Sequence, residues 1–145
     1  MRIMIVLSLS AVIASGLAAQ QKEVLKVPGA VAGLPFSPAI RVGNIIYLSG
    51  QLGNKMGTRE LVPGGIGAET RQTLENIKTV VEAAGSSMDK VFKCTVFLAD
   101  IADYGKMNEV YATFFSKDPP TRSTIAGSGL ALGAKVEIEC MAVST

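Results

Sequence analysis

The sequence contains no histidine and no tryptophan, and its 145 residues include only two cysteines. Without histidine, the chain lacks the side chain that most often acts as a general base near neutral pH and as a zinc ligand. The two cysteines are far apart, so no spacing resembles a metal site and none is expected. Any chemistry must therefore use a guanidinium, carboxylates, hydroxyls and backbone amides.

Charge is also scarce. Charged residues make up 18% of the chain, with 14 basic and 12 acidic side chains and no lysine or arginine cluster. A nucleic-acid-binding groove needs such a cluster, so the composition argues against nucleic acid as a partner. Hydrophobic residues reach 48%, which excludes disorder as the main state, and the length suits one domain.

The first 19 residues have the pattern of a secretory signal peptide. Arg2 precedes an apolar run over residues 3–17, and small alanines follow. This order matches the basic, apolar and cleavage regions of such a signal. We therefore expect residues 1–19 to be removed, a mature domain over residues 20–145, a periplasmic or secreted location, and no membrane association after cleavage. The alternative is a permanent anchor, for which the run is slightly shorter than the required ~20 residues.

Periodicity along the rest of the chain predicts the order β-β-α-β-α-β-β. Two β-rich runs around a Gly-Asn pair are typical of a hairpin, and apolar residues at helical spacing predict helices. The predicted elements are strands at 39–42 and 45–50, a helix at 67–84, a strand at 91–99, a helix from Asp100 to about 115, and strands at 121–126 and 135–143. Residues 20–36 and 51–65 are expected to be irregular, because glycine and proline interrupt them. The order predicts an α+β domain with a single mixed sheet and both helices on one face.

Strand alternation suggests which side chains share a face of this sheet. We expect the helix side to receive Ile125, Ile138 and Cys140. The polar residues then fall together on the open face: Arg122, Thr124, Glu137 and Glu139. An open face with charged groups would line a cleft or a subunit interface.

Cys94 and Cys140 each lie within a predicted strand. A disulfide is conceivable in an oxidising compartment, but the sequence does not test the geometry that it needs. The preferred interpretation is a pair of buried, unlinked cysteines that pack as small hydrophobic residues.

Arg122 and Glu137 are the residues best suited to chemistry. An arginine at the start of a strand can bind a carboxylate with two hydrogen bonds. A glutamate can position and activate a water as general base. The alternatives are an ion pair for Arg122 and an ordinary exposed strand position for Glu137. Ser49, Thr124 and Asn108 are weaker candidates, because polar side chains are common at such positions.

Several motifs occur in a fixed order: Arg41–Gln51 (RVGNIIYLSGQ), Thr70–Lys78 (TRQTLENIK), Glu82–Ser87 (EAAGSS), Asn108–Phe115 (NEVYATFF), Pro120–Ser123 (PTRS) and Val136–Glu139 (VEIE). Together they resemble the Rid family, also called YjgF-type proteins, the reactive intermediate (enamine/imine) deaminases. The resemblance covers about residues 33–143. It implies a chorismate-mutase-like fold and a homotrimer with a barrel-like core and clefts between neighbouring subunits.

The resemblance also implies an activity: hydrolysis of 2-imino acids and their 2-aminoacrylate-type enamine tautomers to 2-ketoacids and ammonia, without metal or organic cofactor. Arg122 matches the arginine that binds the substrate carboxylate. Glu137 matches the glutamate that directs the attacking water to the imine carbon. Ser49, Gly50 and Asn108 match residues that line the cleft.

The chain departs from the family pattern at the expected cleft wall. Phe36 stands where a tyrosine is common, and Thr124 stands where many members have cysteine. We expect both residues to contact substrate and to alter the substrate range. The alternative function is a non-enzymatic trimer that binds a small carboxylic acid, whereas ribonuclease activity is disfavoured by the absence of histidine and of a basic groove.

Overall fold

The computed structural model describes residues 21–145, so the predicted signal peptide and the start of the mature domain lie outside the described residues. The strands are β1 (Lys22–Leu25), β2 (Ala39–Val42), β3 (Ile45–Leu48), β4 (Gln51–Leu52), β5 (Val91–Leu98), β6 (Thr121–Ala126) and β7 (Val136–Val143). The α-helices are α1 (Gly65–Ala83) and α2 (Tyr104–Phe114), and short 3-10 helices span Met88–Lys90, Ile101–Asp103 and Ala131–Gly133. No helix in this part of the chain has the length and apolar character needed to cross a bilayer.

The strands form one mixed sheet in the order β1-β2-β3-β7-β5-β6, with β4 pairing separately with β7. β2 and β3 form the predicted hairpin, in which Gly43 adopts a φ of 61° that other residues seldom reach. β5 and β6 are parallel, and α2 lies in the connection between them, as a parallel pair requires. β6 is left as an edge strand.

Both helices pack on one face of the sheet, which confirms the predicted architecture. On α1, Leu74, Ile77 and Val81 are fully buried, because their spacing brings them to one side of the helix. They belong to the same buried cluster as Val96 and Ile138 of the sheet. Each fully buried side chain of this size contributes about 1.5–3 kcal/mol, so this layer holds the helices on the sheet.

Periodicity does not predict β1 and β4. Leu25 is the only buried residue of β1, and β4 has only two residues. Both become strands because they pair with β2 and β7, respectively, rather than through a pattern of their own. The second helix also starts later than expected: α2 begins at Tyr104, and Asp100 caps the preceding 3-10 helix by accepting from the Ala102 N–H at 2.9 Å.

Cys94 and Cys140 are joined by a disulfide, so the preferred interpretation of two unlinked cysteines is wrong. They face each other directly in the β5–β7 pairing, with Cα atoms 4.1 Å apart. Both are buried, and Cys140 and its neighbour Ile138 point towards the helices as predicted. The two cysteines can bond because the pairing register of β5 and β7 places them opposite each other. That register cannot be read from the sequence of either strand alone.

The expectation that Arg122 and Glu137 share the open face of the sheet is wrong. Arg122 is the register partner of Cys94, which lies in the core, so its side chain points to the helix face. Glu137 alternates with fully buried residues of β7 and therefore points to the open face. Ile125 is 55% exposed and also lies on the open face, contrary to expectation. Because β6 is an edge strand, its apolar residue does not mark the core side.

Candidate active site

Arg122 reaches from β6 to α2, where three side chains of the helix hold its guanidinium. Its Nη2 donates to Asn108 Oδ1 at 2.7 Å and to Tyr104 Oη at 3.3 Å. Its Cζ lies 4.5 Å from the centroid of the Tyr111 ring and 5.7 Å from that of Tyr104. The guanidinium is thus fixed by hydrogen bonds at one edge and by aromatic contact on its plane.

Arg122 makes no ion pair within residues 21–145. The pairs present there join Arg41 to Glu23 at 3.1 Å and Lys55 to Glu60 at 3.2 Å. Arg122 therefore does not pair with a neighbouring glutamate in this part of the chain. A fixed, part-buried guanidinium without a counter-charge is suited to bind a carboxylate from a ligand.

The residues around Arg122 lie on one face of α2. Tyr104, Asn108 and Tyr111 follow the helical spacing that aligns side chains along a helix, and Met107 lies between them with its Sδ 4.0 Å from Arg122 Nη1. Sequence reasoning identifies Asn108 but misses the two tyrosines. Their spacing from Asn108 is the signal that could have found them.

The environment shifts the pKa values of the two tyrosines in opposite directions. Burial raises the pKa of Tyr111 to about 12, although the positive charge of Arg122 opposes this shift. Hydrogen bonding to Asn108, and then to Arg122, lowers the pKa of Tyr104. Tyr111 therefore stays neutral near physiological pH, and its ring contributes through the π face rather than through charge.

Two hydroxyl oxygens near this cluster are buried and have no hydrogen-bond partner among the described residues: Tyr111 Oη and Thr124 Oγ1. Thr124 is two residues from Arg122 on β6, so both side chains point to the same face. An unsatisfied buried hydroxyl costs about 1–3 kcal/mol. The predicted site residue Thr124 thus lies beside Arg122, and its hydroxyl is buried and unpaired among the described residues.

Glu137 lies on the open face of β7, two residues before Glu139 on the same face. Burial, and secondly the negative charge of Glu139, raise the pKa of Glu137. A raised pKa makes a carboxylate a stronger base once it is ionised, which is the property expected of a residue that activates water.

Gly50 provides the space that the Glu137 carboxyl group occupies. An ideal Cβ at Gly50 would lie 2.8 Å from Glu137 Cδ and would overlap Oε1. Any side chain at this position would therefore displace the carboxylate. The predicted site residues Gly50 and Glu137 are direct neighbours.

Ser49 attaches the segment of residues 27–38, which we call the lead segment, to the end of β3. Its hydroxyl donates to the Ser37 carbonyl at 2.7 Å, and its backbone N–H donates to the Pro38 carbonyl at 3.0 Å. Phe36 of this segment is 56% exposed. Ser49 thus has a positioning role in the chain, and it places Phe36 next to the Gly50 region.

The predicted site residues therefore form two groups within one chain, with Arg122 and Glu137 on opposite faces of the sheet. The first group, the arginine cluster, consists of Arg122, Asn108 and Thr124 with Tyr104 and Tyr111. The second group, the glutamate cluster, consists of Glu137, Gly50, Ser49 and Phe36. Within residues 21–145, no set of three or more histidine, cysteine, aspartate or glutamate side chains could hold a metal ion. The arginine cluster offers a cation and hydroxyls, which suit an organic anion.

A mixed sheet backed by two helices, with an arginine cluster at its edge and a carboxylate beside a glycine on the other face, defines a YjgF-type α+β domain. The sequence model described as Endoribonuclease L-PSP matches residues 16–144. The chain belongs to this family, the Rid/YjgF family.

Individual relatives agree with this assignment. The chain is 42% identical over 118 residues to the mouse 2-iminobutanoate/2-iminopropanoate deaminase, and the match covers 81% of this chain and 86% of the relative. Among solved structures, RidA from an Antarctic Psychrobacter superposes with a TM-score of 0.78 at 38% identity, covering 83% of this chain and 98% of the other. Escherichia coli TdcF, solved with bound serine, superposes with a TM-score of 0.77 at 33% identity, covering 85% of this chain and 99% of the other.

Proposed function

We propose that the protein hydrolyses reactive 2-imino acids and their 2-aminoacrylate-type enamine tautomers to 2-ketoacids and ammonia. The observation that carries this proposal is Arg122, whose guanidinium is fixed by Asn108 and Tyr111 and has no counter-charge in the described chain. Such a group selects a small carboxylate. The mouse relative is named for two 2-imino acids, each of which carries a carboxylate, and the TdcF structure holds serine, which carries one as well.

Arg122 and Glu137 have separate roles in the proposed reaction. Arg122 binds the substrate carboxylate, and Glu137 takes a proton from a water that attacks the electrophilic iminium carbon. The new C–O bond gives a tetrahedral aminoalcohol, and the proton passes to nitrogen. The C–N bond then breaks as the hydroxyl oxygen gives up its proton and the C=O bond forms. The departing ammonia takes this proton, so that an iminium acid and water yield a ketoacid and ammonium. Orientation and charge stabilisation supply most of the rate enhancement in such a step.

We place this reaction in a cleft between two subunits. In one chain, Arg122 and Glu137 point to opposite faces of the sheet, so a single substrate does not reach both through the core. A neighbouring copy that presents its open face to the arginine cluster would complete the site. The family resemblance implies clefts between neighbouring subunits and matches both Arg122 and Glu137 to residues of the site, which is consistent with this arrangement.

A homotrimer also accounts for the apolar residues on the open face of the sheet. Tyr47 is 38% exposed and Ile125 is 55% exposed. Apolar side chains that have no cover in a single chain favour association. We propose that three copies bury these faces against one another in a barrel-like core.

We further propose that the mature protein acts in the periplasm or outside the cell. The disulfide between Cys94 and Cys140 supports this location, because such bonds persist mainly in oxidising compartments. Imines would arise there by oxidation of amino acids. Expression with the native N-terminus, followed by fractionation and mass determination of the mature chain, tests both location and cleavage.

The activity is tested with an imine generated in situ by an amino-acid oxidase, with ketoacid release as the readout. Wild type should exceed the spontaneous rate, and Arg122→Ala and Glu137→Ala should both lose this excess. If wild type does not exceed the spontaneous rate but binds a 2-ketoacid in an Arg122-dependent manner, the protein is the carboxylate-binding trimer instead. The chain has no histidine and no cluster of basic residues, which argues against the endoribonuclease activity in the family description.

A further inference from the structure

A cavity of about 350 Å³ lies between the lead segment and the loop that follows β4. Most of its wall is apolar, and the residues that form the apolar part include Val27, Leu34, Phe36, Leu52, Met56 and Leu132. We call it the lead-segment pocket. Its volume is at the lower end of the range of about 300–1,000 Å³ that is usual for small-molecule sites.

The lead-segment pocket adjoins the proposed base. Gly50 lines the pocket, and the Glu137 carboxyl group lies directly against Gly50. Leu52 also lines the pocket and is the register partner of Glu137 in the β4–β7 pairing. Directly opposed residues of paired strands point to the same face, so the Leu52 side chain lies next to that of Glu137. Glu137 does not itself line the pocket, so Gly50 and Leu52 form the connection between its carboxyl group and the pocket.

The polar side chains of the pocket wall are mostly engaged within the chain. Asn54 Nδ2 donates to the Thr58 carbonyl at 2.7 Å, and Gln51 Nε2 donates to the Ser49 carbonyl at 3.1 Å. Arg59 is an exposed exception, for which no hydrogen bond or ion pair is found within residues 21–145. The interior of the pocket thus offers apolar surface rather than free hydrogen-bonding groups.

We propose that the lead-segment pocket binds the apolar side chain of a larger 2-imino acid, such as those derived from leucine, methionine or phenylalanine. This inference rests on the proposed function, because it assigns the substrate side chain of that reaction. Arg122 of the neighbouring copy would hold the carboxylate, Glu137 would face the imine carbon, and the side chain would enter between Leu34 and Leu52. Phe36 at the pocket wall adds apolar surface where the family commonly has a tyrosine.

The expected selectivity follows from the apolar area that the pocket removes from water. The leucine-derived imine has three more carbons than the alanine-derived imine, and each buried methylene raises affinity about fourfold. We expect kcat/KM for the leucine-derived imine to exceed that for the alanine-derived imine by at least about tenfold.

The ratio of these two kcat/KM values is the measurement that tests the pocket, with both imines generated by an L-amino-acid oxidase. Leu34→Trp should fill the pocket and lower the ratio about tenfold. Val24→Trp, an equally apolar substitution on the exposed edge strand β1, should keep the wild-type ratio. If Leu34→Trp does not fold, Ala131→Phe offers a second filling variant, since Ala131 lines the pocket from an exposed position.

The outcomes separate the pocket from the proposed function. If wild type hydrolyses both imines equally and the filling variants leave the ratio unchanged, the pocket inference is overturned and the deaminase function stands. The apolar assignment is also overturned if Arg59→Ala alone removes the preference for the leucine-derived imine.

If neither imine is hydrolysed above the spontaneous rate, the proposed function fails. Titration calorimetry with 4-methyl-2-oxopentanoate and pyruvate then tests the pocket. Tighter binding of the larger ketoacid, lost in Leu34→Trp, supports the pocket, and equal binding of the two overturns it.

Discussion

The guanidinium of Arg122 stacks on the ring of Tyr111, with its central carbon 4.5 Å from the ring centroid. Asn108 holds one edge of the same group through a 2.7 Å hydrogen bond. Together these contacts give Arg122 one orientation before any substrate arrives. Preorganisation of this kind lowers the entropic cost of binding a carboxylate.

Replacing Tyr111 with leucine should weaken substrate binding. The cation–π contact contributes about 1–2 kcal/mol at a part-buried site, so KM should rise roughly five- to thirtyfold while kcat changes little. Steady-state kinetics on the imine substrate measure both constants.

Tyr111→Phe is the matched control, because it keeps the ring and removes only a buried hydroxyl that has no partner among the described residues. This variant should keep the wild-type KM and should be as stable as wild type or up to about 1 kcal/mol more stable. Equal losses of binding in the leucine and phenylalanine variants would show that the hydroxyl, and not the ring, positions Arg122.

Gly50→Ala should lower kcat by a factor of about a hundred, because the new Cβ occupies the place of the Glu137 carboxyl group. Binding through Arg122 should persist, so affinity for a 2-ketoacid should change little. Gly105→Ala is the control: Gly105 lies in α2, a Cβ there meets nothing within 4 Å, and alanine favours helix by about 0.5–1 kcal/mol. Wild-type kcat in Gly50→Ala would contradict the role assigned to the Glu137 carboxylate.

The raised pKa of Glu137 predicts a trade-off between activity and stability. Because folding raises this pKa, the folded state favours the protonated carboxyl. The stability that this provides is complete below the unfolded pKa and is lost as pH rises through the folded pKa. Glu137→Gln should therefore melt at a higher temperature than wild type at pH 7, and the difference should vanish below a pH of about 4, where an ordinary glutamate is also protonated.

Thermal melts of wild type and of Glu137→Gln across pH 3–8 measure this trade-off. The hydrolysis rate of wild type should fall as pH drops through the raised pKa, since the protonated carboxyl group does not accept a proton from water. A Glu137→Gln variant less stable than wild type at pH 7 would contradict the assigned burial effect.

The disulfide should contribute substantially to stability. Cys94 and Cys140 are 46 residues apart, and closing a loop of this length removes roughly 4 kcal/mol of unfolded-state entropy in the chain-entropy description. Urea unfolding with and without dithiothreitol measures this contribution. A double Cys94→Ala/Cys140→Ala variant should not respond to the reductant. Identical wild-type curves under both conditions would show that the bond contributes nothing.

The sequence predicts the architecture well where the pattern is local. Helical spacing of Leu74, Ile77 and Val81 gives α1, and the Gly43 turn gives the β2–β3 hairpin. β1 and β4 could not be predicted, because they are strands through their pairing with β2 and β7 rather than through a pattern in their own residues. The Cys94–Cys140 disulfide could not be predicted either, because it depends on the pairing register of β5 and β7.

The site is only half predictable from the sequence. Family motifs single out Arg122 and Glu137. Strand alternation, however, assigns Arg122 to the wrong face of the sheet, because on the edge strand β6 the apolar residue Ile125 points away from the core. Helical spacing places Tyr104 and Tyr111 on the face of α2 that carries Asn108, but their contacts with Arg122 depend on how α2 packs over β6. The proposed role of Phe36 depends on the hydrogen bond between the Ser49 hydroxyl and the Ser37 carbonyl, which holds the lead segment in place. Periodicity in the sequence does not predict this bond.

The most direct test of the central claim, a site shared between two subunits, is complementation between two inactive variants. Arg122→Ala and Glu137→Ala are each purified, shown to be folded and inactive, and then unfolded together and refolded as an equal mixture. If each site takes Arg122 from one chain and Glu137 from its neighbour, random trimers should recover about a quarter of the wild-type sites. A mixture with no more imine hydrolysis than either variant alone, at wild-type levels of trimer, would contradict a shared site.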